Sequence, residues 1–170
     1  MNIHDFIRDI PDFPKPGIIF KDITPLLGNS EALVYCADAL AGLIPSGVHI
    51  DKVIGIEARG FILGGMIAER LKAGFIPVRK KGKLPSEVYT NSYGLEYGND
   101  TLEIHKDAIA PGEHVLIHDD VLATGGTAKA VYELVEKLGG KVMQCNFIME
   151  LNFLNGRDKI GDRVVSLIQY

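Results

Sequence analysis

The chain has 170 residues, 46% of them hydrophobic and 24% charged, the balance of one folded domain and not of a disordered chain. Eighteen Lys and Arg against 22 Asp and Glu leave a net charge of −4. That speaks against a general nucleic-acid binder, whose affinity for a polyanion comes from a basic surplus, but not against a small anionic ligand that needs only local positive potential.

Cys36 and Cys145 lie far apart with no metal-type spacing, so a reduced, cytoplasmic protein without disulfides or zinc is expected. Residues 1–13 carry Asp5, Arg8, Asp9 and Asp12, which do not suit the apolar core of a signal peptide. The most apolar stretch, 53–67, is interrupted by Glu57 and Arg59 and is too short to span a bilayer. No membrane partner is expected.

In chain order, Leu33, Ala37, Leu40 and Ile44 share one face of a helix over about 30–43. Lys52–Ile56 reads as a strand, Glu57–Gly60 as a turn, 61–72 as a helix and Phe75–Val78 as a strand. Between Lys80 and Lys106 the pattern turns polar and hairpin-like, with Tyr89, Asn91 and Tyr93 followed by 101–105. This predicts an antiparallel flap that projects from the core. His114–His118 then reads as a short buried strand, 119–127 as a polar, glycine-rich loop, and Ala128, Val131, Leu134, Val135 and Leu138 as one face of a helix. Gly139-Gly140 closes that helix, and 142–151 is the next strand. Such βαβ units predict an α/β domain, a parallel sheet with helices on both faces.

The strongest local signal runs from His118 to Thr127. Two adjacent carboxylates, Asp119 and Asp120, leave a buried strand at the edge where open α/β sheets bind ligands. Behind them Ala123, Thr124, Gly125, Gly126 and Thr127 open onto a helix N-terminus. Glycines let backbone N–H groups approach, hydroxyls add donors, and the helix end favours negative charge. This is a phosphate cradle without the spacing or the lysine of a Walker A loop. Acids that accept from hydroxyls beside it suit a phosphorylated sugar.

Val115–Thr127 resembles the phosphoribosyl diphosphate (PRPP) binding motif of the type I phosphoribosyltransferases. ATGGTA at 123–128, FPKPGIIFKDITPLL at 13–27, EARGF at 57–61, RKKGKLP at 79–85, LEYG at 95–98 and SLIQY at 166–170 narrow the resemblance to the adenine-specific branch. It covers nearly the whole chain. His118 departs from it, standing where the family usually has an aliphatic residue.

The resemblance implies the type I phosphoribosyltransferase fold in a single domain over 1–170, with an N-terminal hood over about 1–28 and a flexible flap over about 81–106. It also implies that adenine and PRPP give AMP and diphosphate with Mg2+, in a homodimer. Asp119 and Asp120 then lie beside the ribose hydroxyls and the magnesium shell, with no direct protein ligand to the metal implied. They either position the sugar, the main role, or stabilise the positive charge that develops on it. Ala123–Thr127 hold the 5′-phosphate. The turn of Ala58, Arg59 and Gly60 takes the diphosphate, with Arg59 also near the base; the alternative for Arg59 is a surface arginine paired with Glu57. Of the cations at 79–83, Arg79, Lys80 and Lys83 are the implied diphosphate contacts and Lys81 is not. Glu96 is either a catalytic acid/base or the exposed acid of a hairpin, and Tyr97 packs over the ribose or orders the flap. Ile19 and Phe20 sandwich adenine and the Lys21 backbone reads its edge; Phe20 could equally be plain core.

Two rivals stand beside this reading. A phosphoribosyltransferase for another purine base would differ at 18–22. A PRPP-sensing regulator would need a basic face or an added DNA-binding module, for which 170 residues and an acid excess leave little room.

Overall fold

A computed structural model describes residues 1–95 and 98–170. Its centre is a seven-stranded sheet. In chain order the elements are β1 (Arg8–Pro11), β2 (Ile19–Asp22), α1 (Thr24–Leu27), α2 (Ser30–Gly42), β3 (Lys52–Ile56), α3 (Gly60–Leu71) and β4 (Gly74–Lys80). They continue with β5 (Val88–Leu95), β6 (Gly98–His105), β7 (His114–Leu122), α4 (Gly126–Lys137), β8 (Lys141–Glu150) and β9 (Val164–Gln169). The sheet order is β5-β6-β4-β3-β7-β8-β9, and β1 and β2 form a separate antiparallel pair. Five strands from β4 to β9 run parallel, and the β5–β6 hairpin adds an antiparallel edge at β4.

Parallel strands buried on both faces read as apolar runs, as Val53–Ile56 of β3 and Val115–Ile117 of β7 do here. Alternation along each strand divides their side chains between two cores. Ile54, Ile56, Val115 and Ile117 meet Val131, Leu134 and Val135 of α4. Val53 and Leu116 meet Cys36, Ala37 and Leu40 of α2 and Leu63 and Ile67 of α3. The predicted helices on both faces are thus present. Cys36 and Cys145 are buried free thiols whose pKa values burial pushes up to about 12. Among the described residues no helix is long and apolar enough to cross a membrane.

Three local expectations are corrected. The strand expected to stop at His118 continues to Leu122, because its ladder with β8 persists through Asp119↔Phe147 and Val121↔Met149. Both aspartates therefore belong to a strand and not to a loop. The segment expected to project from the core is rooted in it: β6 pairs with β4 at Arg79↔Glu103 and Lys80↔Leu102, and Leu102 and Ile104 are buried beside α4. The period-two spacing of those two residues carried the signal, which the surrounding polar residues masked. The N-terminal segment holds two unanticipated strands, β1 and β2, paired in the register Ile10↔Phe20. Arg8 donates to Asp22 at 2.6 Å, and Lys21 to Asp9 at 2.7 Å, so ion pairs across the two strands offset poor strand propensity.

Candidate active site

At the C-terminal edge of the parallel strands, the loops after β3 and β7 face one another across a cavity of about 190 Å³. It is lined by Glu57, Ala58 and Arg59 from the first loop, by Asp119 and Asp120, and by Ala123, Thr124, Gly125 and Thr127 from the second. This is where ligands of open α/β sheets bind.

The second loop is built from backbone. Gly125 caps α4 with φ at +76°, and a Cβ there would stand 2.3 Å from the carbonyl oxygen of Gly156. Only glycine meets both conditions. The loop thus presents main chain at the positive end of a twelve-residue helix, the arrangement that attracts phosphate.

The first loop lies close to β7. A Cβ on Gly60 would come within 2.9 Å of the His118 carbonyl and 3.1 Å of Asp119 Oδ1. Here α3 begins, and the Glu57–Ala58 peptide is cis. Glu57 faces the basic run at 79–83. It accepts from the Lys80 N–H at 2.9 Å, pairs with Lys83, and lies 3.4 Å from Arg79 Nε. Its own burial opposes the charge, but the Lys80 N–H and the cations of Lys83 and Arg79 together hold its carboxyl below the usual range.

Arg59 pairs with Asp120 and not with Glu57: Nε lies 2.9 Å from Oδ2. Its guanidinium also stands 4.9 Å from the centre of the Phe20 ring. One side chain therefore links the acid pair to the N-terminal hairpin. Asp119 opens onto the cavity but is crowded by protein elsewhere, and its Oδ1 accepts from the Asp120 N–H at 2.9 Å. Desolvation pushes its pKa well above the carboxylate range, and the charge of Asp120 adds to the shift. Burial also raises Asp120, against the pull of Arg59. Two adjacent acids short of positive charge are prepared to receive hydroxyl donors or a cation.

The remaining expected contacts stand outside the cavity lining. Ile19 is exposed and Phe20 half-buried, edge-on to Phe13 with ring centres 5.2 Å apart. Lys21 Nζ sits 3.8 Å from the centre of the Tyr170 ring. Of the basic run, Arg79 and Lys83 engage Glu57, and Lys80 pairs with Asp100 at 2.9 Å. Three of the four cations thus face acids distant in sequence. Glu96 and Tyr97 lie outside the described residues.

Tyr93 was also overlooked. Its hydroxyl interacts with Thr127 of the glycine loop and with Asp100, which joins the β5–β6 hairpin to the second loop. Its place two residues after Asn91 and four after Tyr89, on one face of β5, was its only sequence trace. His118, the departure from the family pattern, is fully buried, and its Nδ1 lies 2.9 Å from Asn146 Oδ1. Burial pushes its pKa down to about 4, so it is neutral and structural.

The model of the phosphoribosyl transferase domain matches residues 24–169. The adenine phosphoribosyltransferase of Flavobacterium johnsoniae is 64% identical over 162 residues, 95% of each chain. The chain belongs to the adenine phosphoribosyltransferase family. The solved adenine phosphoribosyltransferase of Thermoanaerobacter pseudethanolicus superimposes with a TM-score of 0.95 at 51% identity, covering 99% of this chain and 98% of that one. The Saccharomyces cerevisiae family member, solved with adenine and an iminoaltritol bisphosphate, gives a TM-score of 0.90 at 43% identity over 97% and 96% of the two chains. Family membership makes the chain a pentosyl-transferring enzyme of purine salvage, on the type I phosphoribosyltransferase fold.

Proposed function

We propose that this chain forms AMP and diphosphate from adenine and PRPP, at the cavity between the loops after β3 and β7. The observation that carries this reading is the meeting of a phosphate cradle, a desolvated acid pair and Arg59 within one cavity. The adenine bound to the yeast family member supports the choice of base.

Ala123–Thr127 hold the 5′-phosphate mainly through main-chain donors at the α4 N-terminus. Asp119 and Asp120 accept from the ribose hydroxyls and fix the sugar for in-line attack by the base. Departure of diphosphate leaves positive charge on the ribose, which the pair stabilises in a site of low dielectric. Ala58, Arg59 and Gly60 take the diphosphate from one side. Arg79, Lys80 and Lys83 take it from the other, exchanging Glu57 and Asp100 for phosphate oxygens. Ile19 and Phe20 flank the base and the Lys21 carbonyl accepts from its 6-amino group, so a 6-oxo purine loses that bond and meets repulsion. Residues 1–28 act as a hood and 81–106 as a flap rooted on β4, with Glu96 as acid/base and Tyr97 packing over the ribose or ordering the flap.

Among the described residues no group of three or more acids, histidines or cysteines could cage a metal. The acid pair fits Mg2+ carried mainly by PRPP oxygens and water, since Asp119 and Asp120 would accept from the water of its shell. When bound, the ion neutralises diphosphate charge, while Asp119 and Asp120 orient the ribose within its shell. A cytoplasmic homodimer completes the reading.

The test follows AMP from adenine and PRPP, with and without Mg2+, against hypoxanthine as competing base. Magnesium-dependent AMP formation that excess hypoxanthine leaves largely intact is expected. PRPP binding without product would overturn the assignment in favour of a sensor.

A further inference from the structure

The glycine loop after β7 is backed by a segment that carries no phosphate-binding motif. Asn152–Leu154 and Gly156–Lys159 form two short 3-10 turns, joined at Asn155 with φ at +51°. A Cβ on Gly156 would stand 2.2 Å from the Ala123 carbonyl oxygen and 2.9 Å from the Gly125 nitrogen. The reverse contact, from Gly125 to the Gly156 carbonyl, is the 2.3 Å approach already described. Two main chains therefore touch with no side chain between them.

The next residue fastens this segment to the sheet. Arg157 Nε donates to Glu150 Oε1 at 3.0 Å, Nη2 to Oε2 at 2.6 Å, and Nη1 to the Val164 carbonyl at 2.7 Å. Glu150 ends β8, is almost fully buried, and accepts also from Ser166 Oγ at 3.3 Å. A guanidinium that meets a carboxylate with both prongs fixes direction as well as distance, which an ammonium does not.

We propose that Gly156, Arg157 and Glu150 are positioning residues for the sugar 5′-phosphate. The two-pronged pair sets the height of the 152–159 segment, and Gly156 sets the conformation of Ala123–Gly125 by close contact. This rests on the reading of that loop as the phosphate site. None of the three residues lines the cavity. They act through main-chain donors whose convergence on one phosphate tolerates little displacement.

The test measures ribose 5-phosphate binding by calorimetry, the separate KM values for PRPP and adenine, and thermal unfolding, in wild type, Gly156→Ala and Arg157→Lys. An added Cβ at 156 must displace the loop by about an ångström, so the PRPP KM and the ribose 5-phosphate Kd should rise about ten- to a hundredfold. Arg157→Lys keeps the charge but loses the fork, so a smaller rise of about threefold to tenfold is expected. The KM for adenine should stay within about twofold in both. A merely structural role would lower Tm and the active fraction while leaving both KM values alone. Folded variants with wild-type ribose 5-phosphate affinity, or with both KM values raised in parallel, would overturn the inference. Should Gly156→Ala fail to fold, Arg157→Lys decides alone by the same readouts. A wild-type protein that binds no ribose 5-phosphate would instead sink the substrate reading.

Discussion

The loops after β3 and β7 leave parallel strands at one edge of the sheet, and each opens onto a helix of twelve residues. They are held in place differently. The β7 loop is locked by close contact between the main chains of Gly125 and Gly156, where a single added carbon has no room. The β3 loop also approaches backbone, at Gly60, but its outward side is held by charge: Glu57 gathers Lys80 N–H, Lys83 and Arg79, while Arg59 reaches Asp120. Steric locking suits a group that stays bound to one place through the reaction. Ion pairs suit a group that must be gripped and then released, because a phosphate oxygen can replace a carboxylate as partner.

The sharpest challenge to this contrast is Gly125→Ala. It forces a side chain into a left-handed conformation and into the Gly156 carbonyl at once, so unfolding in denaturant should show a loss of about 4 kcal/mol. A loss under half of that would mean the β7 loop is adaptable, and the contrast would fail.

A second prediction concerns the strand that supports both loops. His118 stays neutral in the folded protein down to about pH 4, whereas the unfolded chain protonates it below its ordinary value of 6.5. Its contribution to stability is therefore complete above pH 6.5 and is lost as pH falls toward 4, by as much as about 3 kcal/mol. Asp119 and Asp120 have raised pKa values and titrate with the opposite sign, so the quantity to measure is the difference between wild type and His118→Gln. The variant should show a shallower fall of unfolding free energy between pH 6.5 and 4. Parallel curves would mean that His118 does not carry the effect.

The smallest expected effect belongs to Glu57→Gln, which retains an acceptor for the Lys80 N–H but removes the charge facing Lys83 and Arg79. Stability should fall by about 1 kcal/mol. Its dependence on sodium chloride should also flatten, since screening then has fewer pairs to weaken. An unchanged salt dependence would show that the first loop, too, is held by packing.

Much of the frame was legible in the residues. Lys52–Ile56 was read with the bounds the structure shows, and the helix opening at Gly126 was read within two residues of them, because apolar periodicity and flanking glycines agree there. The extent of β7 was misread because two aspartates look like a loop when the partner strand is unknown. The strand β1 was missed because Asp9 and Pro11 argue against a strand until Lys21 and Asp22 lie opposite. In sequence the cations at 79–83 form a compact basic run with no acid inside it. Glu57 and Asp100, 23 residues before Lys80 and 20 after it in sequence, pair with three of the four in space.

By itself the sequence determined the α/β frame, the acid pair, the glycine cradle and the family, because each is written in local order and spacing. Tertiary structure alone decided the partners: Arg59 with Asp120, Glu57 with the basic run, Gly156 behind the cradle, and Tyr93 against Thr127. Such pairings depend on which strands become neighbours in the sheet, and a charge or a glycine bears no local mark of the residue it will meet.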